Sequence, residues 1–194
     1  MKYPFYRIIR PGVTFLAKLL YRPTIVGKEN IPKEGRIVLA GNHTSFLDAV
    51  IIFCSTKRTV HFLAKHTLLK GWKKYIFGPM GIVPVDRTIH DKDALYRAKE
   101  LLEEERVIGI FPESTINREK KTTVLPFKIG AVKMAHDTKT PIVPFVITGK
   151  SKLLRKSVRI EFFEKIHIKS DNLTKENDKL MKIISDELEK RENK

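Results

Sequence analysis

An imidazole followed five positions later by a carboxylate opens the chemistry of this chain: Asn42-His43-Thr44-Ser45-Phe46-Leu47-Asp48. The stretch follows an aliphatic run, Arg36–Ala40, that reads as a strand, and Ser45 reads as the N-cap of the helix that comes next. His43 then lies just outside the helix, while Asp48 sits one turn in, at its third position, and can fold back toward the ring. An Asp bonded to one ring N–H fixes the tautomer and stabilises the imidazolium that forms when the other nitrogen takes a proton. Such a pair is a general base for an alcohol attacking a thioester, a role worth ~10²–10⁴ in rate. A structural reading competes, because Ser45-x-x-Asp48 also fits a capping box, whose acid reaches back to the cap's own backbone N–H.

Other polar residues fall at matching places after strand-like runs. Lys65 follows Thr59–Ala64, Asp86 and Arg87 follow Ile82–Val85, and Pro112-Glu113-Ser114-Thr115 follow Val107–Phe111. If these strands run parallel, His43, Lys65, Arg87 and Glu113 project from one carboxyl edge, where open α/β sheets bind ligands. Singly, Lys65 and Arg87 read as surface charges and Glu113 as a loop acid; together they read as a site. The remaining histidines (His61, His66, His90, His136, His167) lack ligand spacing, so no metal site is expected. No Gly-x-Ser-x-Gly elbow is present for a serine hydrolase. Cys54, the sole cysteine, lies in an apolar helical run, excludes an internal disulfide and suits a reducing compartment.

The elements that must position these groups alternate in type. Further strands are expected at Thr24–Gly27, Pro141–Thr148 and Val158–Phe163, and helices at Phe46–Ser55, Leu68–Phe77, Asp91–Glu105, Lys128–Thr138 and Lys175–Arg191. Ala94, Leu95, Ala98, Leu101 and Leu102 recur at helical spacing, as do Leu180, Ile183, Ile184 and Leu188. The pattern predicts an α/β fold with a mixed, largely parallel central sheet flanked by helices. Residues 23–194 form that domain, without a repeat or a dividing linker.

Residues 1–22 read as a separate, amphipathic, membrane-associating helical segment. Tyr3 to Arg22 mixes aromatic and aliphatic residues with Arg7, Arg10, Lys18 and Arg22 and holds no acid. Pro11-Gly12 is expected to divide it into two short helices. In the second, Phe15, Leu16, Leu19 and Leu20 share a face, with Lys18 and Arg22 placed to reach headgroups; packing of the same helices on the core is the alternative. No run approaches the ~20 apolar residues of a membrane span, and the N-terminus lacks the layout of a secretory signal.

The chain is 194 residues long with a net charge of +16, from 38 Lys and Arg against 22 Asp and Glu. Such a field favours an anionic partner, whether lipid headgroups, a phosphorylated substrate or nucleic acid. Nucleic acid is the weakest of these, since the cations are spread along the chain and no binding motif is present.

Asn42-His43-x4-Asp48, Gly81-Ile82-Val83-Pro84-Val85-Asp86-Arg87, Phe111-Pro112-Glu113-Ser114-Thr115 and Pro141-Ile142-Val143-Pro144 resemble, in order, the four blocks of the glycerolipid acyltransferases. The likeness covers residues 24–150 and is strongest to the 1-acylglycerol-3-phosphate acyltransferases. It implies a His43–Asp48 dyad acting by direct attack, with no acyl-enzyme and no cofactor. The donor would be acyl-CoA or acyl carrier protein, and the acceptor a lysophospholipid, 1-acyl-glycerol-3-phosphate, giving phosphatidic acid in phospholipid biosynthesis. Asn42, Ser45, Lys65, Arg87, Glu113, Ser114 and Thr115 would bind substrate, and the chain would sit peripherally or monotopically on the cytoplasmic face of an anionic membrane. One departure stands out: the third block usually reads Phe-Pro-Glu-Gly-Thr-Arg-Ser, and here Ser114 replaces the Gly and Ile116 the Arg. Arg118, Lys120 and Lys121 lie in the same loop as alternative cations, and another lysolipid acceptor remains an open alternative.

Overall fold

The computed structural model describes residues 4–86, 91–118, 122–150, 152–156 and 158–192. Seven strands form one sheet: β1 (Thr24–Val26), β2 (Ile37–Gly41), β3 (Val60–Lys65), β4 (Val83–Val85), β5 (Val107–Ile110), β6 (Ile142–Gly149) and β7 (Val158–Phe162). Their spatial order is β1-β7-β6-β2-β5-β3-β4. The pairs β6–β2, β2–β5, β5–β3 and β3–β4 are parallel, whereas β7 returns antiparallel to β6 and pairs parallel with β1. All seven expected strands are present, and the five-strand parallel part ends along one carboxyl edge.

Strand β2 is the centre. Its five residues are all buried, and its side chains alternate between two cores. Val38 and Ala40 meet Ala98, Leu102, Met134, Leu180 and Ile184 from helices α4 (Lys92–Glu103), α5 (Gly130–Asp137) and α6 (Leu173–Glu192). Ile37 and Leu39 meet Ile51 and Ile52 of α2 (Asp48–Ser55) on the opposite face. Pro144 lies inside β6, where a missing N–H would ordinarily break a ladder. In a strand a residue's N and C=O point to the same neighbour, and the Pro144 C=O accepts from Phe163 N–H at 2.9 Å, just past the end of β7. The absent donor therefore falls where the β6–β7 register has already ended, and β2 loses nothing.

Two helical expectations are corrected. Residues 66–80 do not form one helix over Leu68–Phe77; they make three 3-10 turns around a four-residue α3 (Lys74–Phe77). Gly71 at φ 57 interrupts the run, a conformation that ends a right-handed helix. At the N-terminus a single 18-residue helix, α1 (Pro4–Tyr21), runs through Pro11 instead of dividing there. Packing on both sides of the proline explains its persistence. Tyr6 and Ala17 are buried against Phe53 and Cys54, with Val13 beside them. The Tyr6 hydroxyl donates to the Arg58 C=O at 3.2 Å and the Arg10 guanidinium to the Thr56 C=O at 2.7 Å. The opposite face leaves Ile8, Phe15, Leu16 and Leu19 exposed. No helix among the described residues is long and apolar enough to cross a membrane.

A proline in a helix interior costs ~3 kcal/mol through a lost hydrogen bond and a ring clash. Pro11→Ala should therefore stabilise the protein by about 1–3 kcal/mol, read as a rise in thermal unfolding midpoint. A helix divided at this point would leave the midpoint unchanged.

Candidate active site

The site is built where β2 ends. A side chain at Gly41 would meet the Phe145 backbone oxygen at 2.3 Å, so only glycine lets the strand end press this closely on β6. Asn42 follows and spends both ends of its buried amide on β6: Nδ2 donates to the Ile147 C=O at 2.9 Å and Oδ1 accepts from its N–H at 2.7 Å. His43 comes next. Its ring stacks on Phe111 with centroids 4.0 Å apart and planes 12° apart.

Asp48 is fully buried, and its carboxylate gathers the loop around itself. Oδ2 accepts from the Thr44 N–H at 2.6 Å, the Ser45 N–H at 2.8 Å and, at 3.0 Å, His43 Nδ1. Oδ1 accepts from the Thr44 hydroxyl at 3.1 Å. The expected helix start needs correction. Ser45 is not its N-cap; residues 46–47 form a turn, Leu47 precedes the helix, and Asp48 is its first residue. Ser45 Oγ accepts instead from the Leu47 N–H at 3.1 Å. The capping contact and the His–Asp contact, which competed as readings of the sequence, coexist: one oxygen of the buried carboxylate, Oδ2, serves backbone and ring together. With Nδ1 donating to Asp48, Nε2 is the ring nitrogen left to meet a substrate.

Glu113 holds the same histidine from behind. Its carboxylate is buried and accepts from the His43 N–H at 2.7 Å and the Leu125 N–H at 2.8 Å. Burial pushes this carboxyl above the ordinary glutamate range, and the two N–H donors oppose that shift. The Asn117 N–H donates to the His43 C=O at 3.0 Å, so the segment after β5 grips both backbone groups of His43. Ser114, at φ +59, holds the left-handed turn for which glycine is the usual residue.

Beside His43 opens a cavity of about 550 Å³. Phe46, Val50, Phe53, Phe62, Phe77 and Met80 give it apolar walls, and His43, Lys65, Thr115 and Arg118 contribute its polar ones. Of the residues expected to bind substrate, Lys65 and Thr115 reach this cavity. Asn42, Ser45 and Glu113 are committed to backbone groups, and Ser114 is not on the cavity wall. Arg87 lies outside the described residues, as do Lys120 and Lys121. Ile116, standing where the family pattern has Arg, lines the wall, and Arg118 supplies a cation two residues on. Phe111, Asn117 and Leu125 were not expected as parts of the site; Phe111 immediately precedes Pro112-Glu113, but nothing in its type announces a stacking role. Among the described residues no cluster of three potential metal ligands is present.

Residues 22–148 match the profile of the Acyltransferase family. The 1-acyl-sn-glycerol-3-phosphate acyltransferase of Borreliella burgdorferi is 34% identical over 137 residues, covering 69% of this chain and 54% of that protein. The enzyme of the same name from Bacillus subtilis is 30% identical over 129 residues, covering 66% of this chain and 63% of its own length. The chain thus spans about half the length of the curated relatives it matches. The fold is that of the 1-acyl-sn-glycerophosphate acyltransferase PlsC from Thermotoga maritima, with a TM-score of 0.76 over 97% of this chain and 82% of that one at 22% identity.

Removing the buried Glu113 carboxylate takes the acceptor from two half-buried N–H groups, at ~1–3 kcal/mol each. Glu113→Ala should therefore lower stability by at least about 2 kcal/mol in denaturant titration. An unchanged midpoint would mean that water replaces the carboxylate.

Proposed function

Because this chain belongs to the acyltransferase family, we propose that its His43–Asp48 site transfers a fatty acyl group from a thioester to the free hydroxyl of 1-acyl-glycerol-3-phosphate, giving phosphatidic acid. The observation that carries this reading is the 3.0 Å contact between His43 Nδ1 and the buried Asp48 carboxylate, at the wall of an apolar cavity. In this mechanism Nε2 accepts the hydroxyl proton as the oxygen attacks the thioester carbon. Asp48 holds the tautomer and stabilises the imidazolium. Collapse of the tetrahedral intermediate breaks the C–S bond, and the imidazolium returns the proton to the leaving thiolate. No acyl-enzyme and no cofactor enter.

The apolar walls suit an acyl chain, and the cations beside them suit a phosphate or the anionic portion of the donor, acyl-CoA or acyl carrier protein. Lys65 and Arg118 are the cations on the cavity wall among the described residues, so they take the headgroup role that the sequence pattern would give to an arginine at position 116. The exposed apolar side chains Phe15, Leu16 and Leu19 of α1, with Phe46 beside the cavity, support a peripheral seat on a membrane. That arrangement would give a lipid acceptor a short path to His43.

Mass spectrometry of products from purified protein, lysolipids and both donor types tests the reaction. His43→Ala should remove transfer while thermal unfolding stays cooperative, because the attacking alcohol loses its base. Asp48→Asn should cut turnover by about 10²-fold or more, since an amide cannot stabilise the imidazolium. Turnover close to wild type in Asp48→Asn would leave the carboxylate with its capping role alone.

Lys65→Ala and Arg118→Ala address the acceptor. Each should raise KM for 1-acyl-glycerol-3-phosphate by about tenfold, the scale of one charge-assisted contact, with little change for an uncharged monoacylglycerol. Equal effects on both acceptors would remove these residues from phosphate recognition.

A further inference from the structure

We propose that the β6–β7 loop, residues 150 and 152–156, is a second bilayer-contact element, which with the outer face of α1 seats the chain on an anionic lipid surface. This rests on the reading that the acceptor is a membrane lipid, but its readout is binding and needs no turnover.

The loop's composition is the first observation. From Gly149 to Arg159 the sequence reads Gly-Lys-Ser-Lys-Leu-Leu-Arg-Lys-Ser-Val-Arg, with no acid. Leu153 and Leu154 are 59% and 57% exposed, although the strands on either side bury their aliphatic residues almost completely. Leu154 adopts φ 57, unusual for a large side chain, in the turn that holds the pair outside the core. Arg155 and Lys156 are exposed beside them. Two adjacent leucines ringed by cations match a lipid interface, where apolar side chains enter the acyl boundary and cations stay among headgroups.

Position supplies the second observation. The Leu154 N–H donates to the Leu20 C=O in the last turn of α1, where helix carbonyls lack internal partners. The loop therefore caps α1, whose outer face exposes Ile8, Phe15 and Leu19 on the side away from buried Tyr6 and Ala17. Lys18 and Arg22 stand at the junction, and no acid lies between residues 3 and 22. The loop also leaves from the carboxyl end of β6, which runs parallel to β2, so it lies on the same sheet edge as His43. A bilayer fits this surface better than an acidic protein does, because the exposed apolar face of α1 extends over several helical turns and the loop leucines lie exposed at its end rather than in a local cleft.

The test uses the full chain sedimented with vesicles of phosphatidylcholine alone or mixed with phosphatidylglycerol. Leu153→Ser with Leu154→Asn should weaken partition to both by about tenfold. Arg155→Glu with Lys156→Glu should reduce the preference for phosphatidylglycerol by about tenfold while sparing turnover of a short-chain, water-soluble acceptor. Partition unchanged in both pairs overturns the proposal and leaves the catalytic reading standing. Loss of partition in a protein that transfers no acyl group sustains the proposal and overturns that reading instead. Leu153→Trp in a Trp72→Phe background provides a readout without loop disruption: its emission should shift to the blue with anionic vesicles, and no shift overturns the proposal. Binding of an acidic carrier protein that Arg155→Glu with Lys156→Glu removes, with vesicle partition intact, also overturns it.

Discussion

The carboxylate of Asp48 is the group on which the site depends. It is fully buried, and an uncompensated charge there would be costly, so four donors converge on it: the His43 ring, two consecutive backbone N–H groups and a threonine hydroxyl. Satisfying that charge shapes the loop from residue 43 to 48. The same bonds that neutralise its burial fold the chain back on itself and bring an imidazole to the opening of an apolar cavity. Structure and chemistry are therefore not separable roles for this residue. Its backbone contacts start α2, and its ring contact orients His43.

A second buried carboxylate completes the support from a distant part of the chain. Glu113 binds the His43 N–H with one oxygen and the Leu125 N–H with the other, while Asn117 takes the His43 carbonyl and Phe111 stacks on the ring. Two loops from neighbouring parallel strands thus hold one histidine by its ring, its N–H and its C=O. A side chain restrained at this many points loses little freedom on meeting a substrate, which is the preorganisation that positional catalysis requires. Glu113 acts through His43 and not as a group within the cavity.

The parallel sheet is what brings these loops together. β2, β5 and β3 are adjacent and point the same way, so the segments following them emerge side by side. Asn42 secures β2 to β6 just before His43, and Gly41 allows the close approach. The antiparallel return of β7 then sends the β6–β7 loop out along this same edge, next to the end of α1. The His43–Asp48 pair, the cavity and the basic, leucine-bearing surface all follow from one choice of strand direction.

Much of this was legible in the residues. Apolar periodicity located all seven strands and the long helices α4 and α6, because burial selects side chains at the repeat of the backbone. The spacing of His43 and Asp48, and of Lys65 and Glu113 after their strands, identified one edge as chemically distinct. Local propensity misled where tertiary contacts outweighed it: Pro11 is carried inside α1 by packing on both flanks, and Gly71 breaks a run whose apolar pattern looked helical. Ser45 has the chemistry of a cap, but the pull of Asp48 on two backbone N–H groups moved the helix start beyond it. Whether Asn42 and Glu113 face a substrate or the backbone could not be read from their types, since an amide or carboxylate serves either partner. Burial decided it, by removing water and leaving backbone groups from β6 and from Leu125 as the available partners.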